Sequence, residues 1–283
     1  NFSDPRMLLR ILEALLFYVN RGARYIRLDA IAFLWKIPGT SCLHLEQTHR
    51  VIRLMRTVLD EVAPDVQLIT ETNVPHADNI SYFGNGSNEA QLVYNFALPP
   101  LVFHTLRTGD AGRLRRWAQT LELPSDRVTF FNFLASHDGI GMNPARGILD
   151  QQEIDALVQT ALDHNGFVPY KTNPDGTKSP YELNISYFDA LSDPQSTESP
   201  DTQIARFLAA HSIMLALRGL PGIYFHSLFG SRGDRKAAEE SGIPRRINRK
   251  KLDVAELEAA LDDPGSIRAR VFAGIRRMIK ARA

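Results

Sequence analysis

Residues 24–33 read R-Y-I-R-L-D-A-I-A-F. Tyr25, Ile26 and Leu28 form a short β-prone run, so the spacing predicts a strand over 25–29 that ends on a carboxylate, Asp29. Ile31 and Phe33 follow at once, and an acid among apolar neighbours needs something to keep it charged. Strand side chains alternate with period two, so Arg27 projects from the same face as Asp29 and can hold it ionised in the interior. Taken alone, the pair reads equally well as a structural buried ion pair.

Outward from this strand the chain repeats one theme. Before it, Leu8, Ile11, Leu12, Leu15 and Leu16 give helical periodicity over 7–20, with Asp4 and Pro5 as cap and first turn and Arg21-Gly22 as the stop. After it come a loop with Trp35, Pro38 and Gly39, and a helix over 44–62 whose Val51, Ile52, Leu54, Met55 and Leu59 share a face. A second strand, 66–71, again closes on a carboxylate, Glu71. Strands are expected at 92–96, 128–134 and 220–225, the middle one running into Ser136-His137-Asp138, and helices at 101–106, 113–121, 151–162, 204–217 and 266–282. The segment 167–192 is rich in Pro, Asn, Gly and Ser and carries Tyr170, Tyr181 and Tyr187, so it is expected to be a long functional loop. The basic stretch between the last strand and the last helix is expected to be loop-like. Such alternation calls for parallel strands joined by helical crossovers, with the acids on the rim where a (β/α)-barrel keeps its active site. Five strands are predicted where a closed barrel of this kind has eight.

Composition limits the partners. A hydrophobic fraction of 44% over 283 residues supports a sizeable core. The formal net charge of +1 gives no field that favours nucleic acid or an anionic membrane. Basic residues gather after Arg245, where they are expected to form a solvated helix surface. A single cysteine, Cys42, excludes an internal disulfide and a thiolate metal cluster. No apolar run approaches the roughly 20 residues of a membrane span and no signal peptide is visible, so a cytoplasmic location is expected.

Asp29, Glu71 and Asp138 stand together as strand-end acids, with His137 beside the last. Two carboxylates flanking an anomeric carbon are what retaining glycosidic cleavage needs, at a separation of roughly 5 to 5.5 Å, and a third can stabilise the oxocarbenium-like charge. A doubly wound sheet with acidic loop ends binding Mg²⁺ accounts for three carboxylates equally well on spacing alone. Of the other histidines, His44, His49, His104, His164 and His211 are read as structural, while His76 and His226 follow strands closely enough to line a cleft. Trp35 and Phe33 offer an apolar wall for a sugar ring, with core packing the stronger reading for Phe33.

Three segments, R-L-D-A-I-A at 27–32, T-E-T-N at 70–73 and A-S-H-D-G-I at 135–140, resemble in order three signature segments of the α-amylase superfamily of retaining α-glycosidases. D-A-I-A-F-L-W-K from 29, T-N-P-D-G-T-K-S-P-Y-E-L-N at 172–184 and R-R-I-N-R-K-K-L at 245–252 narrow the resemblance to its sucrose phosphorylase-like branch. It implies a (β/α)8 TIM barrel, with Asp29 as nucleophile, Arg27 as the arginine keeping it ionised, Glu71 as general acid/base and Asp138 as transition-state stabiliser. It further implies that His137 grips the glucose hydroxyls, that Arg245 meets the glucosyl unit, and that Tyr181 and Glu182 lie in a mobile loop that helps exchange the leaving sugar for phosphate. The implied reaction is phosphorolysis of a sucrose-like α-glucoside to α-glucose 1-phosphate, without metal or organic cofactor and with inorganic phosphate as co-substrate. A hydrolase or transglucosidase of the same superfamily is the alternative.

The chain starts after the segments that match the first three barrel strands and ends before the β-domain that follows the barrel in the branch. Residues 1–283 are therefore expected to be the C-terminal part of the barrel, strands four to eight. Alone, such a piece is expected to be catalytically silent and to self-associate, with its donor sugar and oligomeric state left open.

Overall fold

The computed structural model describes residues 2–173 and 175–283; Asn1, and Pro174 within the quoted 172–184 segment, lie outside the described residues. Two compact units are formed, residues 1–95 with 122–131, and residues 96–121 with 132–283.

In the first unit, α1 (Pro5–Asn20) is started by Asp4, whose side chain accepts from the Arg6 N–H, and by Pro5 in the first turn. It leads into β1 (Tyr25–Leu28); α2 (Glu46–Val62) follows, then β2 (Gln67–Thr70), the short α3 (His76–Ile80) and β3 (Leu92–Tyr94). The strands pair in parallel, with Arg27 opposite Ile69 and Thr70 opposite Val93. β3 pairs in the same sense with β4 (Thr129–Phe133), which runs out of this unit. The core between helices and sheet is built from Leu15, Val51, Met55, Leu59, Val66 and Leu68. The helical period of α1 and α2 and the strand period of β2 bring those residues to one side.

In the second unit, α4 (Leu98–Thr108) begins where the sequence reading ends a strand: Pro99 lies in its first turn, where a missing N–H costs nothing. α5 (Gly112–Ala118) follows, then the end of β4, β5 (Ile140–Gly141) and α6 (Gln151–Asp163), which carries a reciprocal Asp150/Glu153 capping box. The stretch 167–192, expected to be a loop, is built instead of a hairpin, β6 (Tyr170–Thr172) with β7 (Lys178–Pro180), then β8 (Glu182–Leu183) and α7 (Tyr187–Leu191). β8 pairs antiparallel with β5. Next come α8 (Pro200–Ala216) and β9 (Leu220–Gly222), β4's other neighbour. The stretch after β9, expected to be loop-like, is largely helical: α9 (Phe225–Leu228), α10 (Arg235–Ser241), a 3-10 turn (Pro244–Asn248) and α11 (Val254–Asp262). α12 (Ile267–Arg282) closes the chain, and the Arg282 guanidinium donates to the carbonyls of Leu215, Leu217 and Gly219, where α8 gives way to β9.

The strand order β1-β2-β3-β4-β9 thus contains all five strands expected from the sequence. Phe103, Leu134, Phe188, Phe207 and Ile275 are among the buried side chains of the second unit's core.

Candidate active site

The first unit gathers three of the expected residues at the C-terminal ends of β1 and β2. Arg27 reaches forward from β1; its Nη1 lies 2.6 Å from Asp29 Oδ1 and its Nη2 3.6 Å from Glu71 Oε1. The second Glu71 oxygen accepts the Ala30 N–H at 3.0 Å. That N–H is turned toward Glu71 by a left-handed Ala30, φ 46°, directly after Asp29. Backbone hydrogen bonds complete the tie, from Glu71 N–H to Leu28 O at 3.1 Å and from Ile31 N–H to Glu71 O at 3.3 Å.

Asp29 is not interior as expected. Its side chain is 73% exposed, against 14% for Glu71, because β1 is an edge strand of the sheet while β2 has a neighbour on each side. Phe33 is exposed rather than packed in the core, with the Lys36 ammonium 5.1 Å from its ring centre. Trp35 packs against the α1–α2 core.

Tyr94, at the end of β3, completes this cluster and was not singled out in the sequence. The Arg27 guanidinium lies 5.5 Å from its ring centre, and Phe131 packs against the ring at 4.6 Å. Burial pushes the Tyr94 phenol above its ordinary range, against the charge and hydrogen bond of Arg27. Burial pulls the Arg27 pKa down, but Tyr94, Glu71 and Asp29 together hold it above its ordinary value. An aromatic in a short strand reads as core; the available signal is that Tyr94 ends the third strand, as Asp29 and Glu71 follow the first two.

The second unit gathers the other expected residues about Asp138. Its Oδ1 lies 3.2 Å from Arg245 Nη1 and 3.0 Å from Arg249 Nη2, and its Oδ2 3.5 Å from His137 Nε2. Arg245 also forks onto buried Glu182 at 2.7 and 3.0 Å. Those hydrogen bonds are the main reason its pKa is raised; burial opposes them, and the charges of Glu182, Asp138 and Tyr181 add to them. Tyr181 is tied through its backbone, N–H to Pro169 O at 2.9 Å and O from Met142 N–H at 3.0 Å. Gly139 lets the turn after Asp138 press on β8: a Cβ there would come within 2.6 Å of Leu183 O. Arg249 is the second residue missed, although it ends the I-N-R that sets the register of Arg245.

Of the remaining histidines, His226 lines the same cavity as Asp138, and His44, His49, His76, His164 and His211 are packing residues. His44 Nδ1 lies 2.9 Å from the Tyr82 hydroxyl and His49 Nδ1 2.8 Å from Glu89, while His164 and His211 hydrogen-bond to backbone carbonyls. His76 stacks on Phe130 at 6.0 Å.

No family model matches the chain. It is 59% identical over 283 residues to the glucosylglycerate phosphorylase of Allomeiothermus silvanus, covering all of this chain and 51% of that protein. It is 49% identical over 282 residues to the glucosylglycerate phosphorylase of Escherichia coli, covering 50% of it, and 30% identical over 258 residues to the sucrose phosphorylase of Agrobacterium vitis, covering 87% of this chain and 48% of that protein. The chain spans about half the length of the curated relatives it matches. Among solved structures, sucrose 6F-phosphate phosphorylase from Thermoanaerobacter thermosaccharolyticum superposes with a TM-score of 0.80 at 22% identity, covering 96% of this chain and 51% of that one. The strand order β1-β2-β3-β4-β9 is thereby part of a TIM-barrel fold. The chain belongs to the sucrose phosphorylase-like branch of the α-amylase superfamily.

Proposed function

We propose that this chain carries the catalytic carboxylates of a retaining α-glucoside phosphorylase whose donor is glucosylglycerate. The observation that carries the reading is the Asp29–Arg27–Glu71 arrangement, two acids from neighbouring strand ends held by one guanidinium. Asp29 Oδ attacks the anomeric carbon as the bond to the leaving oxygen breaks, and Glu71 gives that oxygen its proton. Phosphate then attacks the glucosyl ester from the opposite side, Glu71 takes a proton back, and α-glucose 1-phosphate leaves with Asp29 restored. His137 and Asp138 hold sugar hydroxyls as the ring flattens, Asp138 stabilising the positive charge that develops. Arg245, Tyr181 and Glu182 are assigned to the sugar and the exchange of leaving group for phosphate. The chemistry invokes no metal or organic cofactor, so dialysis against EDTA should leave turnover unchanged.

The choice of donor is supported by the 59% and 49% identities to glucosylglycerate phosphorylases against 30% to a sucrose phosphorylase. The test is to assay the chain, alone and joined to the remaining half of the Allomeiothermus silvanus relative, with glucosylglycerate and with sucrose, each with and without phosphate. Phosphate-dependent release of glucose 1-phosphate from glucosylglycerate by the joined polypeptide, and no turnover by the chain alone, is expected. Free glucose at full rate without phosphate would overturn phosphorolysis in favour of a hydrolase or transglucosidase.

A further inference from the structure

Arg245 and Arg249 reach Asp138 from a 3-10 turn of five residues, Pro244–Asn248, and the residue after it. Its own backbone contributes little: Arg246 N–H to Ile243 O and Arg249 N–H to Arg246 O, both at 3.0 Å. Short 3-10 turns have poor hydrogen-bond geometry and little stability of their own, so the precision with which two arginines meet one carboxylate oxygen has to come from outside the turn. The exit of β9 provides that support. The Tyr224 hydroxyl donates to Asn248 O at 2.7 Å. Asp234 N–H donates to Ile247 O at 2.8 Å, and the buried Ile247 side chain sits so close to Gly233 that a Cβ there would come within 2.7 Å of it. From the turn, Asn248 Nδ2 donates to Asp138 O at 2.9 Å and Arg249 Nε to His137 O at 2.9 Å. One cavity is lined from both sides of this brace, by Ser136, Asp138, Tyr224, His226, Asn248 and Lys250.

We propose that Tyr224 is a positioning residue: through the Asn248 carbonyl it seats residues 245–249 as a strap that fixes Arg249, and with it Asp138. The kinetic consequence rests on the phosphorylase reading; the structural one does not. Tyr224→Phe removes a single oxygen and leaves the ring in place.

In the joined polypeptide, Tyr224→Phe is expected to lower kcat for glucosyl transfer about 10-fold, the scale of one hydrogen bond lost to a network, with the donor KM within about two-fold. In an Arg249→Ala background the same change should add less than about two-fold, since both act through one contact. Two losses that simply multiply would overturn the proposal. On the 283-residue chain itself, amide exchange of Arg246 and Arg249 should quicken about 10-fold in Tyr224→Phe while α8 keeps its protection; unchanged exchange at those two amides would also overturn it. A joined polypeptide that turns over no glucoside would count against the proposed function, and the exchange measurement would still decide the strap.

Discussion

Asp29 and Glu71 share a guanidinium but differ in their other partners. Asp29 meets Arg27 at 2.6 Å, whereas Glu71 has one oxygen on the Ala30 N–H and the other 3.6 Å from Arg27. Asp29→Ala should abolish turnover in the joined polypeptide, by at least ~10⁴-fold, because nothing else there forms the ester. Glu71→Gln should lose about 10²- to 10⁴-fold with glucosylglycerate but far less with α-glucosyl fluoride, whose leaving group needs no proton. Equal losses on both donors would remove the acid assignment. The placing of Arg27, Asp29 and Glu71 at neighbouring strand ends was legible because Asp29 and Glu71 each close a short apolar run. Tyr94 and Arg249 were not, because an aromatic in a strand and a charge in a basic run are the ordinary state of such segments; only tertiary contacts distinguish them. The exposure of Asp29 belongs to a chain that spans about half the length of its relatives, in which β1 has a neighbouring strand on one side.

Among the elements, the long periodic helices and the five parallel strands were legible, and the short ones were not. β5 and β8 have two residues each and are defined by pairing Ile140 with Leu183, some forty residues away, so no window of sequence contains the signal. The hairpin of β6 and β7 and the three helices between β9 and α12 are likewise too short for periodicity to declare. α8, by contrast, was plain from its apolar content, and it carries a testable titration. His211 packs against Phe207 with its Nδ1 2.9 Å from the Phe207 carbonyl. Burial lowers its pKa from 6.5 to about 4, with that carbonyl opposing. The unfolded chain takes up this proton as pH falls through 6.5 and the folded chain only near 4, so stability should decline across that window by of order 3 kcal/mol. Urea unfolding of the wild-type chain and His211→Gln between pH 7 and 4 checks it: the variant should lack that part of the slope. Gly139→Ala should destabilise the fold as well, by about 1 to 3 kcal/mol of overpacking read as a lowered thermal midpoint, since the new methyl meets the Leu183 carbonyl.

At the scale of the chain, α1 and β1 leave Leu9 60%, Phe17 53%, Tyr18 58% and Tyr25 55% exposed, beside an edge strand with unpaired backbone groups. With a net charge of only +1 there is little repulsion to keep copies apart. Sedimentation of the isolated 283-residue polypeptide should therefore show species well above its 31.8 kDa, reduced by Leu9→Lys with Tyr25→Lys. Monomer at all concentrations would contradict this. No helix among the described residues is long and apolar enough to cross a membrane, so that apolar face is not part of a helical span. The contact of Arg282 has a different bearing, on how a distant side chain reaches the site. Its guanidinium holds three carbonyls at the approach to β9, and β9 leads on to Tyr224 and the strap beneath Asp138. Arg282→Ala would change nothing in the candidate site, yet it would loosen the strand that leads to it. The joined polypeptide carrying Arg282→Ala should then lose turnover while its circular dichroism stays the same, and unchanged turnover would contradict this.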